Sequence, residues 1–253
     1  MDDDRTVLGR ATLILDVVTR SSEPLTLAAL TAQTSLPKPT VRRIAQALVA
    51  RSLLEQRAGL YLPGRGLVAL GGRALEHSTS RRAAAPHLQD LFARCAEVVF
   101  LGLLDGPELV MVDVLVGNRR HAELAAEPWP VVRTTRPEAL CSAAGRLLLS
   151  ARLDLAATLH RAGVPRMTPY TEVGGGRLRD ALQRARDTGI AVEEEQLRSG
   201  WACVAAALHD GDDVVGVLGV AGHAGTLKAH LLAGHVLRAA EAASSGQAPA
   251  RAI

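Results

Sequence analysis

The segment Lys38-Pro39-Thr40-Val41-Arg42-Arg43-Ile44-Ala45-Gln46 sets two adjacent arginines, a lysine and an amide at helical spacing. A guanidinium offers a donor fork that fits guanine edges or phosphate oxygens, and a carboxamide fits adenine. On a helix, Val41, Ile44, Ala45 and Leu48 share one side, Pro39, Arg43 and Gln46 the other, and Arg42 lies on the flank. Pro37-Lys38-Pro39 suits a first helical turn, because the amide hydrogen that proline lacks would have no partner there. This pattern points to reading the edges and backbone of duplex DNA. The competing reading is an ordinary charged helix surface.

Other residue sets suggest other chemistry. Cys203 and His209 could be a nucleophile and its base, which would make the chain a small-molecule enzyme. No third orienting group or oxyanion donor accompanies them, so a buried core cysteine is preferred and no catalytic residue is assigned. His223, His230 and His235 could be ligands. The last two do not share a helix face and no Cys-x-x-Cys supports zinc, so neither metal nor cofactor is expected. Gly174-Gly175-Gly176 lacks the Gly-Lys-Ser/Thr of a phosphate-binding loop and reads as a flexible loop. Glu193-Glu194-Glu195 reads as a solvated strand edge or loop, with Glu193 the member that could face a pocket. Ser142 fits a helix cap and a ligand contact equally.

Charge separates the chain into two parts. Residues 1–80 hold 10 Lys+Arg against 7 Asp+Glu, and the remainder holds 19 against 19, so the whole formal +3 lies in the first third. Three of those seven acids are Asp2, Asp3 and Asp4. A compact basic module on a neutral body is the electrostatic footprint of duplex binding. Only six residues are aromatic, too scattered for a base-stacking platform, which disfavours single-strand or RNA recognition. No apolar run approaches the about 20 residues a membrane helix needs. No signal-type apolar core follows the acidic start. Cys95, Cys141 and Cys203 are odd in number and widely spaced, so no disulfide framework is expected and the setting is a reducing cytoplasm.

The elements that must position these residues follow from periodicity. Residues 6–19 form an amphipathic helix through Val7, Leu8, Ala11, Ile14, Leu15 and Val18, ended by Ser21-Ser22-Glu23-Pro24. Thr26 caps a short second helix, Leu27 to Thr34, and a turn at Ser35-Leu36 leads to the third, running to about Arg51. Two helices joined by a tight turn, the second with a polar outer face, make a helix-turn-helix. Leu53 to Gln56 and Leu60 to Leu62 form a hairpin, a wing with Arg57 near its tip. Residues 5–64 are thus a winged helix-turn-helix domain. A connecting helix, loosened at Gly71-Gly72, occupies 65–80.

Residues 81–243 form an α+β domain on a largely antiparallel sheet. Its expected helices are Arg81 to Ala96, Ala139 to Leu153, Asp154 to Ala162, one between Gly176 and Gly189, and Thr226 to Ala243. Its strands are Glu97 to Leu104, Glu108 to Val116, Ile190 to Val192, Ala202 to Leu208 and Val214 to Ala221. Residues 244–253 are expected to be a disordered tail.

Three segments carry a family resemblance. They are Leu36-Pro37-Lys38-Pro39-Thr40-Val41-Arg42-Arg43, then Ser142-Ala143-Ala144-Gly145-Arg146, then Gly189-Ile190-Ala191 through Glu193-Glu194-Glu195 and Gly200 to Cys203-Val204-Ala205. Over residues 5–243 the chain resembles the IclR-type bacterial transcription regulators, in which a winged helix-turn-helix is followed by a GAF/PAS-like α+β effector domain. The resemblance implies a DNA-binding homo-oligomer, dimer or tetramer, on a palindromic operator, with a small-molecule effector in the C-terminal domain. By position it implies DNA contacts from Lys38, Pro39, Thr40, Arg42, Arg43, Gln46 and Arg57. It implies effector contacts from Ser142, Ala143, Ala144, Glu193, Cys203, Gly219 and Ala221, with the effector between the sheet and the helix beginning near Ala143. Effectors of the family are often organic or aromatic acids, and the helix start would favour a carboxylate.

The chain also departs from the family pattern. Pro39 replaces a usual serine. Ala29 replaces a usual glutamate, so the Thr26 capping box is incomplete. Gly219 and Ala221 stand where small-acid sensors often carry serines, so two ligand-facing hydroxyls are missing. The effector is therefore expected to be less polar or differently bound. The remaining alternative is a DNA-binding chain whose C-terminal domain only oligomerises.

Overall fold

The computed structural model describes residues 6–126 and 133–246. Two compact units divide the chain at His77/Ser78, Met1–His77 and Ser78–Ile253. The expected tail lies outside the described residues from 247 onward, while Ser244 and Ser245 belong to the last helix.

In the first unit, α1 (Val7–Arg20), α2 (Leu27–Thr34) and α3 (Lys38–Ala50) pack around a small core. Ile14, Val18, Leu30, Val41, Ile44, Ala45 and Leu48 bury the apolar stripes that their spacing marks out. The Thr6 hydroxyl accepts from Gly9 N–H at 2.9 Å, and the Thr26 hydroxyl from Ala29 N–H at 3.1 Å. Each satisfies a helix-start donor that has no acceptor within its own helix. Ser35 takes a left-handed conformation, φ 55°, and turns the chain between α2 and α3. The wing is β2 (Leu54–Arg57) and β3 (Leu60–Pro63). A two-residue strand not foreseen from sequence, β1 (Leu25–Thr26), pairs with β3 and ties the wing to the start of α2. The connecting helix α4 (Arg65–His77) runs without a break through Gly71 and Gly72. Glycine lowers helix propensity but keeps its amide hydrogen, so the hydrogen-bond ladder continues.

The second unit holds a five-stranded antiparallel sheet in the order β5-β4-β8-β7-β6. The strands are β4 (Val98–Asp105), β5 (Glu108–Leu115), β6 (Ile190–Glu194), β7 (Trp201–Asp210) and β8 (Asp213–His223). Alternation along β7 sends Trp201, Cys203, Ala205 and Ala207 to one face and Ala202, Val204, Ala206 and Leu208 to the other. The second face is covered by α5 (Thr79–Cys95) and α10 (Ala229–Ser245). The first face carries α7 (Ala143–Ser150), α8 (Leu153–Ala162) and α9 (Gly175–Thr188).

Three expected boundaries shift, each for a local reason. Ala139 does not begin α7: Pro137–Cys141 is a 3-10 turn, Ser142 is extended, and its hydroxyl caps a new helix. The three glycines are not a loop. Gly174 is the N-cap of α9, and Gly175 packs so close to His160 that a Cβ there would lie 2.9 Å from its ring. Thr226 stays in the turn after β8, its N–H bonded to the His223 carbonyl at 3.0 Å, and α10 begins at Ala229. One helix was not foreseen, α6 (Asn118–Ala126). Arg120 anchors it with paired bonds to the Glu97 carboxylate at 2.6 and 3.0 Å.

Candidate DNA-recognition and effector sites

Helix α3 buries one face and leaves the other open, because only one side of it meets the core of its unit. Lys38, Pro39, Arg42, Arg43 and Gln46 together line a shallow depression of about 300 Å³. All five are exposed, and Thr40 beside them is half-buried. Among the described residues, Lys38, Arg42 and Arg43 enter no ion pair. Cations held in the open with no internal partner are available to phosphate oxygens or base edges. Arg57 differs. Its Nε donates to Glu55 Oε1 at 2.7 Å, so the wing arginine is already engaged within its own strand. That hydrogen bond holds the Glu55 carboxyl below its ordinary range.

The residues aligned with an effector pocket converge on the first face of the sheet. Glu193 on β6 stands opposite Cys203 on β7, and Cys203 stands opposite Ala221 on β8. In antiparallel strands, directly opposed side chains share a face, so the three form one row. The next row is Ala205, Gly219 and Phe100. Ala143 and Ala144 join Cys203, Ala221, Phe100, Leu147 and Trp201 in one buried cluster.

Burial changes the meaning of several of these residues. Glu193 is no solvated edge: it is 2% exposed, and its Oε2 accepts from Gln196 N–H at 2.9 Å. Burial pushes its carboxyl up to about 7, against the opposing pull of the Gln196 and Leu197 amides and of Arg146. Ser142 is used as a cap. Its hydroxyl accepts from Gly145 N–H at 2.9 Å and donates to the Ala139 carbonyl at 3.1 Å. Gly219 is filled from outside, since a Cβ there would meet the Phe100 ring at 2.4 Å and the Val204 carbonyl at 2.8 Å. Phe100 thus occupies the space in which a serine hydroxyl would stand.

The nucleophile-and-base reading does not survive. Cys203 is buried, and burial together with the Glu193 charge pushes its thiol well above the ordinary range. Six residues along an extended strand also separate Cys203 and His209 by roughly 20 Å. The His209 amide is held by Ser244 Oγ at 2.9 Å. His223 faces a carboxylate, Glu123 Oε2, at 2.8 Å. Among the described residues, no group of three or more His, Cys, Asp or Glu could hold a metal ion.

Sequence reasoning missed Phe100 and Arg146. Nothing distinguishes Phe100 from its apolar strand neighbours. Arg146 had a signal, a lone charge within Ala143 to Leu149, a run otherwise without charged residues. It is buried, bonded through Nε to the Leu140 carbonyl at 2.6 Å and through Nη2 to Gln196 Oε1.

A winged helix-turn-helix with an open basic recognition face, followed by a separate α+β unit, defines a DNA-binding transcription regulator. Residues 7–58 match the IclR helix-turn-helix domain, and residues 72–245 match the family described as bacterial transcriptional regulator IclR C-terminal. The chain belongs to the IclR family and is a DNA-binding transcriptional regulator. It is 26% identical over 225 residues to the HTH-type transcriptional repressor AllR of Salmonella typhi, covering 87% of this chain and 80% of that one. With the HTH-type transcriptional regulator XynR of Escherichia coli K12 it shares 27% identity over 200 residues, 78% of this chain and 77% of the relative. In fold it is similar to an IclR homolog of Microbacterium hydrocarbonoxydans crystallised with 4-hydroxybenzoate. The TM-score is 0.79 at 20% identity, over 96% of this chain and 99% of that one. An IclR regulator of Alicyclobacillus acidocaldarius also superposes with a TM-score of 0.79, at 17% identity over 96% and 98% of the two chains. No helix among the described residues is long and apolar enough to cross a membrane.

Proposed function

We propose that the protein represses transcription by binding a palindromic operator as a homo-oligomer, and that a small organic molecule bound in the second unit changes that affinity. The observation that carries this reading is the α3 face, where Lys38, Arg42, Arg43 and Gln46 stand exposed around one depression. Arg43 and Gln46 read base edges, while Lys38, Arg42 and Thr40 hold phosphates and Pro39 packs against the backbone. Arg57 reaches phosphate only by leaving Glu55. Residues 5–64 do the reading, 65–80 connect, and 81–243 sense and oligomerise. Exposed apolar side chains in the first unit support self-association: Val68 on α4 is 76% exposed, and Leu8 on α1 is 74% exposed. Two-fold symmetry in the protein then matches two half-sites in the operator. The reading places the protein in the cytoplasm, with the genome.

The effector lies between α7 and the sheet face that carries Glu193, Cys203, Gly219 and Ala221. Small apolar residues and the Phe100 ring line that space, so it suits an organic or aromatic acid, or a less polar metabolite, that displaces or stacks on Phe100. An aromatic acid such as the 4-hydroxybenzoate of the Microbacterium homolog is the natural first probe. The packing of Phe100 over Gly219 favours a second reading, in which this unit oligomerises and senses nothing. The reading is regulatory and not enzymatic, with Cys203 a core residue.

A mobility-shift assay with DNA from upstream of the protein's own gene, at two salt concentrations, tests DNA reading. A sequence-dependent shift is expected, and its absence at low salt overturns the proposal. Thermal-shift screening with aromatic and aliphatic acids separates sensing from pure oligomerisation, because a specific ligand raises the melting temperature by mass action.

A further inference from the structure

Arg146 is only 4% exposed, and both groups that hold its guanidinium, the Leu140 carbonyl and the Gln196 side-chain oxygen, are neutral. Among the described residues, no carboxylate forms an ion pair with it. Glu193 and Glu172 act on it only through longer-range attraction. A buried guanidinium without a contacting counter-ion is costly, and an anion that reaches it lowers that cost. Here one can reach it. The Arg146 side chain lines a cleft of about 190 Å³ with Glu172, Arg177, Asp180, Arg184 and Gln196. Within it, Arg177 is already paired to Glu172 at 3.0 Å, and Glu172 also accepts from Gly174 N–H at 2.7 Å. Arg146, Arg184 and Asp180 are left without an ion-pair partner among the described residues. Three arginines against two carboxylates leave the lining one positive charge in excess. The volume lies below the roughly 300 Å³ of a drug-sized pocket.

We propose that this cleft, bounded by α7, α9 and the loop after β6, binds a small hydroxylated monocarboxylate. Its carboxylate meets Arg146 and Arg184, and its hydroxyl donates to Asp180. One negative charge balances the excess of the lining, a body of a few carbons fits the volume, and the free acid and the Gln196 amide reward a polar chain over an alkyl one. This site is separate from the row of Glu193, Cys203 and Ala221, and it does not depend on an effector binding there.

Titration calorimetry on the full-length protein without DNA tests it. Glycerate is the probe, uncharged glyceramide the control, and ionic strength is held constant. Saturable binding of glycerate and none of glyceramide is expected. Arg184→Ala changes an exposed side chain and leaves the fold intact, and it should weaken glycerate about tenfold or more, the loss of one charge-assisted contact. Arg146→Gln should weaken it further, with circular dichroism reporting whether the variant is folded. The proposal is overturned if glycerate shows no saturable heat, if Arg184→Ala binds as well as the parent, or if Ala144→Leu abolishes binding while Arg184→Ala does not. The last result would place the ligand against the sheet. Because DNA is absent, a failed operator assay leaves this result unaffected, and the reverse holds too.

Discussion

Arg43 and Arg146 are the same side chain, each on a helix with apolar neighbours, and the structure gives them opposite tasks. Helix α3 meets the rest of its unit on one side only, so its buried stripe of Val41, Ile44, Ala45 and Leu48 leaves Arg43 in solvent. All eight residues of α7 are buried, so no face of it reaches water and its arginine must find partners inside. A helix packed on one side displays its polar residues for use by another molecule. A helix packed all round consumes them, or holds them ready for a ligand small enough to enter.

The comparison can be broken most forcefully on the buried side. Burial pushes the Glu193 carboxyl up to about 7 from its ordinary 4.5. Its neutral form stabilises the fold fully below about pH 4.5, and that stability is lost as pH rises through 7. By linkage the loss approaches about 3 kcal/mol. Glu193→Gln keeps an acceptor for the Gln196 amide and removes the charge. Urea midpoints should therefore favour the variant at pH 8 and converge at pH 4.5; parallel pH curves would show that Glu193 pays no burial penalty. Next in size is Gly219→Ser, which restores the hydroxyl of small-acid sensors but drives a Cβ into Phe100. A loss of roughly 1–3 kcal/mol in thermal unfolding is expected. Adding Phe100→Leu should recover part of it, and no recovery would mean that the Val204 carbonyl is the true obstacle.

On the exposed side the arginine effects fall on binding rather than folding. Arg43→Ala should leave the melting temperature unchanged and weaken specific DNA by roughly 1–3 kcal/mol, relaxing specificity at one base position. An equal loss on every sequence would make it a phosphate contact. Thr26→Ala removes the cap of α2 and should cost about 1 kcal/mol of stability, read from the unfolding midpoint. The smallest effect belongs to Arg57→Ala, a slight weakening on DNA, because the exposed pair with Glu55 competes for the guanidinium. A larger loss in the same mobility-shift titration would show that the wing abandons Glu55 on binding.

Much of the first unit was legible because its signals are local. Thr26, the turn at Ser35 and the three-and-four spacing of Val41, Ile44 and Leu48 are read within a few residues, and α2 begins and ends where they say. β1 was missed because two residues carry no period; it forms only because β3 lies beside them. In the second unit, alternation marked the strands. It could not show that Glu193 turns inward, since an acidic run looks solvated until β7 closes one side and the Gln196 amide the other. Helix α6 rests on Arg120 reaching Glu97, a contact spanning 23 residues of chain that no local pattern announces.

The amino-acid sequence by itself determined the winged helix-turn-helix, its basic face and the antiparallel strands, because capping, turn chemistry and hydrophobic period act over a few residues. The tertiary structure alone decided which polar groups are free. Arg42 and Arg43 face water while Arg57 is paired with Glu55. Glu193 is sealed in, Arg146 is buried up to the wall of a cleft, and Phe100 fills the space above Gly219. The reason is physical: whether a charge is solvated, paired or buried depends on what packs over it, and what packs over it comes from distant parts of the chain.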